Sequence, residues 1–121
     1  MIKTHYLKAV TAGADGVAVG TAESTQLVVG EVVGVYVKYT TQPATVDVTL
    51  KSKGDAAPSY NLLAVSNLNT NGYFAPRAKP VDNANAAITN AHDRFAVADK
   101  VQLDVAQGNV GVVECWLLVQ E

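Results

Sequence analysis

The chain has 121 residues, enough for one domain with its own core and too few for two ordinary domains. Charged residues make up 17% of the sequence and the formal net charge is −2, which argues against a nucleic-acid-binding module, since such a module would show a basic stripe. We therefore predict a single domain over residues 1–121 with no nucleic-acid partner. A surface with so little charge is suited to packing against other protein.

The N-terminus and the single cysteine narrow the classes of protein to which the chain could belong. No apolar segment follows the N-terminal lysine, as a signal peptide would require, and no stretch approaches the ~18 apolar residues of a membrane span. We therefore expect a chain that is made in a cytoplasm and has no membrane partner. Cys115 stands alone, which excludes an intrachain disulfide and a zinc site built from cysteines. We interpret it as a small buried hydrophobe.

The first 66 residues predict short strands separated by turns. Over residues 31–41, alternation places Val33, Val35, Val37 and Tyr39 on one face, and the β-branched and aromatic content disfavours a helix. A turn at Pro43 predicts that the next alternating segment returns as a hairpin. Strand candidates in this part of the chain cover residues 5–11, 16–22, 27–29, 31–41, 45–52 and 60–66.

Residues 67–93 are different in kind. This segment is rich in asparagine and alanine and hardly alternates, so we predict one long irregular loop. Tyr73, Phe74 and Arg77 lie close together within it. These residue types are enriched where proteins contact other proteins. The alternative interpretation is that the two aromatic rings close one end of the domain while Arg77 pairs with an aspartate.

The C-terminal segment predicts a second hairpin. Residues 101–105 alternate between apolar and polar, and a Gln-Gly-Asn turn follows. The return strand, residues 111–119, is apolar on one face and mostly apolar on the other, where Trp116 and Leu118 lie. A strand that faces water on one side would alternate instead. We therefore expect a second layer of the chain, or another subunit, to cover it.

Together these features predict an all-β, single-domain β-sandwich of jelly-roll or Greek-key, immunoglobulin-like order. A two-layer sandwich of this size has one interior, yet several strands are apolar on both faces. The surplus apolar face would carry Tyr36, Trp116 and Leu118. We therefore predict a homo-oligomer or docking onto a larger assembly. The alternative is that loops fold over this face.

The sequence contains none of the common catalytic, nucleotide-binding or metal-binding motifs, so we predict no enzymatic activity and no cofactor. His92 and Asp93 would form a metal site only if the fold brought them beside Cys115, and no ligand spacing supports one. Asp82, Asp93 and Asp99 flank the long loop and are candidates to bind a divalent ion. We favour turn capping or pairing with arginine for them, and we predict no metal site.

Several short motifs between residues 73 and 109 are similar to those of a known group of proteins. They are YFAPR at 73–77, the acidic Asp82, an Ala/Asn tract, DR at 93–94, VADKV at 97–101 and VAQG at 105–108. Together they resemble the small β-rich virion proteins of tailed bacteriophages, a group that includes head decoration, or cement, proteins. The first half of the chain carries no motif of this kind.

The resemblance implies a non-enzymatic structural subunit of a phage particle, often trimeric, that clamps capsid proteins together and so stabilises the head. The implied partners are the major capsid protein or other virion proteins. The implied location is the virion, assembled in the cytoplasm of the bacterial host. Our candidate partner or oligomer contacts are Tyr36, Tyr73, Phe74, Arg77, Trp116 and Leu118.

A second hypothesis is a glycan- or receptor-binding β-sandwich module. Sugar-binding sites commonly use exposed aromatic rings, for which Tyr60, Tyr73 and Phe74 are the candidates. Aromatic residues make up only 7% of the chain, which leaves few rings for such a platform. Fold alone does not assign this function, because β-sandwiches support many activities.

Overall fold

A computed structural model of the chain describes residues 1–54, 58–78, 84–86 and 92–121. These residues contain strands and no helix, which confirms the predicted all-β class. Accordingly, no helix with the length and apolarity to cross a membrane is present in the described part. Asp82 and most of the alanine-rich tract lie outside it. The strands are β1 (Ile2–Thr11), β2 (Ala18–Glu23), β3 (Val28–Thr40), β4 (Asp47–Ser52), β5 (Asn61–Val65), β6 (Gly72–Phe74), β7 (Ala96–Asp99), β8 (Val101–Gly108) and β9 (Gly111–Gln120).

The strands form two antiparallel sheets that pack as a β-sandwich, as predicted. The five-stranded sheet has the order β1-β9-β3-β6, and β7 also pairs with β3. The four-stranded sheet has the order β2-β8-β4-β5. β9 pairs with β1 on one side and with β3 on the other, so it occupies the centre of its sheet.

Both predicted hairpins are wrong. β8 pairs with β2 and β4, whereas β9 pairs with β1 and β3, so the turn after Gly108 crosses from one sheet to the other. The connection from β3 to β4 crosses in the same way. Alternation shows which face of a strand is buried. The same faces are buried whether two consecutive strands pair as a hairpin in one sheet or lie in opposite sheets. The periodicity therefore did not distinguish the two.

The core fills the space between the sheets with the inward faces of the alternating strands. Burying each large aliphatic side chain contributes about 1.5–3 kcal/mol to folding. The five-stranded sheet contributes Leu7, Ala9, Val28, Val32, Val35, Val37, Tyr39, Val97, Val113, Cys115, Leu117 and Val119, and the four-stranded sheet contributes Val48, Leu50, Leu62, Val101, Leu103 and Val105.

β3 covers two of the predicted strands, residues 27–29 and 31–41, and one residue assigned to the buried face of the second is wrong. It continues through Gly30, whose φ of +140° is a conformation that glycine adopts readily. A register shift between Val32 and Gly34 then changes which residues point inward. Val32 is fully buried and Val33 only partly buried. The prediction that Val33 shares the core face is wrong, because a bulge interrupts the period of two.

Regular structure interrupts the predicted loop over residues 67–93. β6 adds a short edge strand to β3, with Tyr73 opposite Tyr36. Further on, backbone hydrogen bonds of 2.7 and 2.8 Å join Ala78 and Asp93 in an isolated antiparallel bridge. Three residues are too few to reveal a period of two, and the partner strand lies far earlier in the chain. The sequence pattern therefore missed β6.

A polar cluster around the buried Gln42 closes one end of the sandwich. Gln42 Nε2 donates to Thr11 Oγ1 at 3.1 Å and to the Asn109 carbonyl at 3.3 Å, and Gln42 Oε1 accepts the Asn109 N–H at 3.1 Å. Thr11 Oγ1 also accepts the Gly111 N–H at 2.9 Å. These bonds tie the end of β1 to both crossing connections, where the chain passes between the sheets.

We expect Gln42→Ala to lower the free energy of unfolding by about 2 kcal/mol, because the partly buried N–H of Asn109 loses its acceptor. Urea unfolding followed by tryptophan fluorescence measures this. Gln26→Ala is the matched control, since the Gln26 side chain is exposed and its loss should cost less than about 0.5 kcal/mol. Equal values for the two variants would show that the cluster contributes nothing.

The Tyr39 hydroxyl is buried without a hydrogen-bond partner among the described residues. Burial raises the pKa of Tyr39, and an unpaired buried hydroxyl is a cost to folding. We expect Tyr39→Phe to raise the free energy of unfolding by about 1 kcal/mol. In the exposed control Tyr36→Phe the change should stay within about 0.5 kcal/mol. Destabilisation by Tyr39→Phe would mean that a bound water or another group pairs with the hydroxyl.

Candidate functional site

The outer face of the four-stranded sheet is mostly polar, apart from the exposed Val19 near the start of β2, and two of its lysines are ion-paired. Lys51 Nζ lies 3.0 Å from Asp104 Oδ2, and Lys53 Nζ lies 3.1 Å from Glu23 Oε2. Partial burial by itself raises the pKa of Asp104, but hydrogen bonds from Gln102 and Lys51 and the charge of Lys51 outweigh it and hold that pKa below its usual value. A sheet surface of this kind is typical of one that faces water.

The outer face of the five-stranded sheet instead carries aromatic side chains across four neighbouring strands. Tyr6 of β1 lies opposite Trp116 of β9, Trp116 opposite Tyr36 of β3, and Tyr36 opposite Tyr73 of β6. The ring centroid of Trp116 lies 5.1 Å from that of Tyr6 and 5.8 Å from that of Tyr36, with tilts of 49° and 59°. These are favourable tilted ring contacts. We call the four residues the aromatic row.

The aromatic row is packed internally and open to solvent on its outer side. Trp116 is half-buried between its two neighbours, whereas Tyr6, Tyr36 and Tyr73 are 49%, 38% and 56% exposed. Single exposed apolar side chains are ordinary on a protein surface, whereas large contiguous apolar patches are common where another molecule binds. The aromatic row is contiguous across four strands, which makes it our candidate binding surface.

Two local features position the outer end of the row, which is the end at β6 where Tyr73 lies. A β-carbon on Gly34 would overlap the Tyr73 hydroxyl, so glycine at this position leaves room for the ring. Arg77 follows on the same segment, and its Nη1 donates to the carbonyl oxygens of Val33 at 3.3 Å and Pro76 at 2.8 Å. β6 therefore brings both Tyr73 and an oriented guanidinium to this end of the row.

Two residues further along these strands, the same face of the sheet carries charged side chains. Lys8 of β1 lies opposite Glu114 of β9, and Glu114 lies opposite Lys38 of β3. The Tyr6 hydroxyl donates to Glu114 Oε2, and this hydrogen bond, followed by partial burial and the negative charge of Glu114, raises the pKa of Tyr6. Neither lysine forms an ion pair with another described residue.

The structure brings most of the predicted contact residues together. Tyr36, Tyr73 and Trp116 belong to the aromatic row. Leu118 lies one register step away on β9 and is half-buried. Arg77 is exposed at the row's outer end. The surplus apolar face that the sequence predicted is thus one continuous surface of the five-stranded sheet.

Phe74 and Tyr60 do not join this surface. Phe74 follows Tyr73 in the strand, so it points to the opposite side and packs against the core. Tyr60 stacks on Phe95, with ring centroids 6.4 Å apart, and its hydroxyl donates to the Ala96 carbonyl. Of the two interpretations of the neighbouring rings, core closure holds for Phe74 and exposure for Tyr73. The rings of Tyr60, Tyr73 and Phe74 do not form one platform.

Sequence reasoning missed Tyr6 as a member of the site. Alternation in β1 places Tyr6 and Lys8 on one face and Leu7 and Ala9 on the other, and the structure confirms this, since Leu7 and Ala9 are buried. An exposed tyrosine in an alternating strand was the available signal. Its meaning depends on the pairing of β1 with β9, two strands at opposite ends of the chain.

The acidic candidates for an ion site have other roles or lie apart. Asp99 is buried, and its carboxylate accepts the backbone N–H groups of Lys100 at 2.7 Å and Gly54 at 3.1 Å, as a turn-capping residue does. Among the described residues, no group of three or more His, Cys, Asp and Glu side chains could hold a metal. Asp82 is outside the described ranges.

Cys115 lies on the core side of β9 and is fully buried, which confirms its interpretation as a small hydrophobe. Burial raises the pKa of its thiol to about 12. Since the thiolate is the reactive form of cysteine, this side chain is chemically inert in the folded protein.

We expect Cys115 to resist a thiol-specific reagent at mildly alkaline pH for as long as the protein stays folded. Labelling followed by mass spectrometry should proceed at the unfolding rate in native buffer and immediately in denaturant. The unfolded chain serves as the internal control for reagent activity. Rapid, complete labelling of the native protein would contradict the buried position of the thiol.

The chain is only weakly similar to known proteins. No protein family and no curated protein matches the chain. Among solved structures it is similar to CBM4, a carbohydrate-binding module, at 12% identity and a TM-score of 0.32, over 96% of this chain and 91% of that one. A Bacteroides ovatus protein described as a lipoprotein shares 11% identity with a TM-score of 0.25, over 99% of this chain and 46% of that one. Likenesses this weak carry no argument about function.

Proposed function

We propose that this chain is a non-enzymatic structural protein of a phage particle, of the capsid decoration or cement kind, which stabilises the head by protein–protein contacts. The observation that carries the proposal is the contrast between the two outer faces. One face bears the solvent-exposed aromatic row, and the other is mostly polar with two ion-paired lysines. The resemblance of residues 73–109 to small β-rich virion proteins points the same way.

The chemistry of the aromatic face suits a protein partner. Tyr, Trp and Arg are the residue types that most often dominate binding energy at protein interfaces, and Tyr36, Tyr73, Trp116 and Arg77 lie together here. Neighbouring rings already contact one another, so covering them costs little additional side-chain entropy. Repetition over the many copies in a shell would make even a modest contact effective.

The homotrimer implied by the resemblance stays a prediction with a specific structural requirement. A threefold contact is heterologous, so each subunit needs two different complementary patches. Val17 and Val19, exposed at 66% and 59% around the start of β2, would supply one of these patches, which leaves the aromatic row to contact the capsid.

We expect the purified chain to co-sediment with phage heads assembled from the major capsid protein in its absence. Tyr36→Ala should weaken this binding about tenfold or more, because truncating a central aromatic contact typically costs about 2 kcal/mol. Tyr60→Ala is the matched control: Tyr60 and Tyr36 are both 38% exposed, but Tyr60 lies outside the aromatic row. Circular dichroism should first establish that both variants fold.

Two outcomes would count against the proposal. Absence of wild-type binding to the heads would overturn the structural role. Equal weakening by the two tyrosine variants would show that the aromatic row is not the docking face.

A glycan-binding module is the second candidate. The observation that favours it is the combination of exposed rings at Tyr6, Tyr36 and Tyr73 with the ammonium groups of Lys8 and Lys38 beside them, because small-ligand sites combine apolar surface with a few placed polar groups. Wild-type binding on a glycan array that is lost in Tyr73→Ala, together with no binding to heads, would favour this function.

A further inference from the structure

Three cationic side chains border the aromatic row, and none of them has an acidic partner among the described residues. Lys8 and Lys38 lie one register step from the row on β1 and β3. Arg77 lies at its outer end, where only backbone carbonyls accept its hydrogen bonds. On the opposite face, by contrast, Lys51 and Lys53 are both ion-paired. These two lysines are thus neutralised by carboxylates, whereas the lysines beside the aromatic row are not paired with any described carboxylate.

The acidic groups on the aromatic face do not offset these cations. Glu114 lies between the two lysines and accepts a hydrogen bond from the Tyr6 hydroxyl. Glu31 lies opposite Gln120, two residues before the Val33 whose carbonyl binds Arg77, and forms no ion pair with that arginine; among the described residues, two carboxylates thus face three cations. The border of the row therefore carries excess positive charge, although the whole chain has a formal net charge of −2.

The exposed rings alone are too small for a stable interface. A fully buried aromatic side chain covers about 150–250 Å², so Tyr6, Tyr36 and Tyr73 at 49%, 38% and 56% exposure together offer roughly 300 Å² by the same scale. A standard interface buries about 800 Å² on each partner. The remaining area must come from the border of the row, so a partner that covers the rings also contacts the cations.

A second copy of the same face is a poor occupant. A twofold contact brings the same patch of both subunits together. Here that would oppose two cation-rich borders, and like charges across an interface cost free energy. Charge complementarity therefore favours a different partner.

We infer that the aromatic row docks onto a partner-protein surface that is apolar at its centre and carries carboxylates at its border, positioned to meet Lys8, Lys38 and Arg77. This inference rests on the proposed structural role in the particle. The planar guanidinium of Arg77 can bind a carboxylate through two parallel hydrogen bonds. The lysines act as point charges that speed encounter and select the orientation.

The test compares single charge reversals in the binding of the chain to assembled heads. Lys8→Glu and Lys38→Glu should each weaken binding about tenfold at ~0.1 M salt, and the difference from wild type should shrink toward ~1 M salt as the screening length falls from about 10 to about 3 Å. Lys3→Glu is the matched control, because Lys3 is an exposed lysine on β1 that alternation places on the other face. It should bind within about twofold of wild type.

The outcomes separate this inference from the proposed function. If wild-type chain binds heads and the Lys8 and Lys38 variants bind equally well, the acidic border is overturned while the structural role stands. Equal weakening by Lys3→Glu also overturns it, since the effect then follows net charge and not position. If the wild type does not bind heads, both proposals fail.

Discussion

The register of β9 between β1 and β3 is the constraint on which the rest of the structure depends. Antiparallel pairing directs Cys115 and Leu117 into the core and Trp116 to the outer face. Residues that lie opposite each other share a face, so the register that fills the core also aligns Tyr6 and Tyr36 on either side of Trp116. A slip of one residue would reverse both arrangements at once. The core and the candidate site are therefore two consequences of one pairing.

The two crossing connections make this arrangement possible. Because β3 leads to β4 and β8 leads to β9 across the sandwich, each sheet combines strands that are distant in sequence. The chain must still satisfy its backbone where it crosses, and Gln42, Thr11 and Asn109 do this with one shared set of hydrogen bonds. Hydrogen bonds thus stabilise this end of the sandwich, whereas burial of apolar side chains holds the two sheets together.

The two outer faces follow different physical rules. On one, Lys51 and Asp104 pair within a polar sheet surface that water solvates well. On the other, tyrosine rings lie beside unpaired lysines. A complementary partner surface would bury the rings and neutralise the lysines at the same time. Apolar contact would supply affinity there, and the cations would select which surface can approach.

The sequence by itself determined the all-β class, the inward faces of most strands, the burial of Cys115 and the existence of a surplus apolar face carrying Tyr36 and Trp116. These are local properties, because a period of two is visible wherever a strand has one buried side. Only the tertiary structure decided that the supposed hairpins cross between sheets, that a bulge buries Val32 in place of Val33, and that Tyr6 completes the aromatic row. Each of these depends on hydrogen-bonded partners far away in the chain, and alternation is the same whichever partner a strand has.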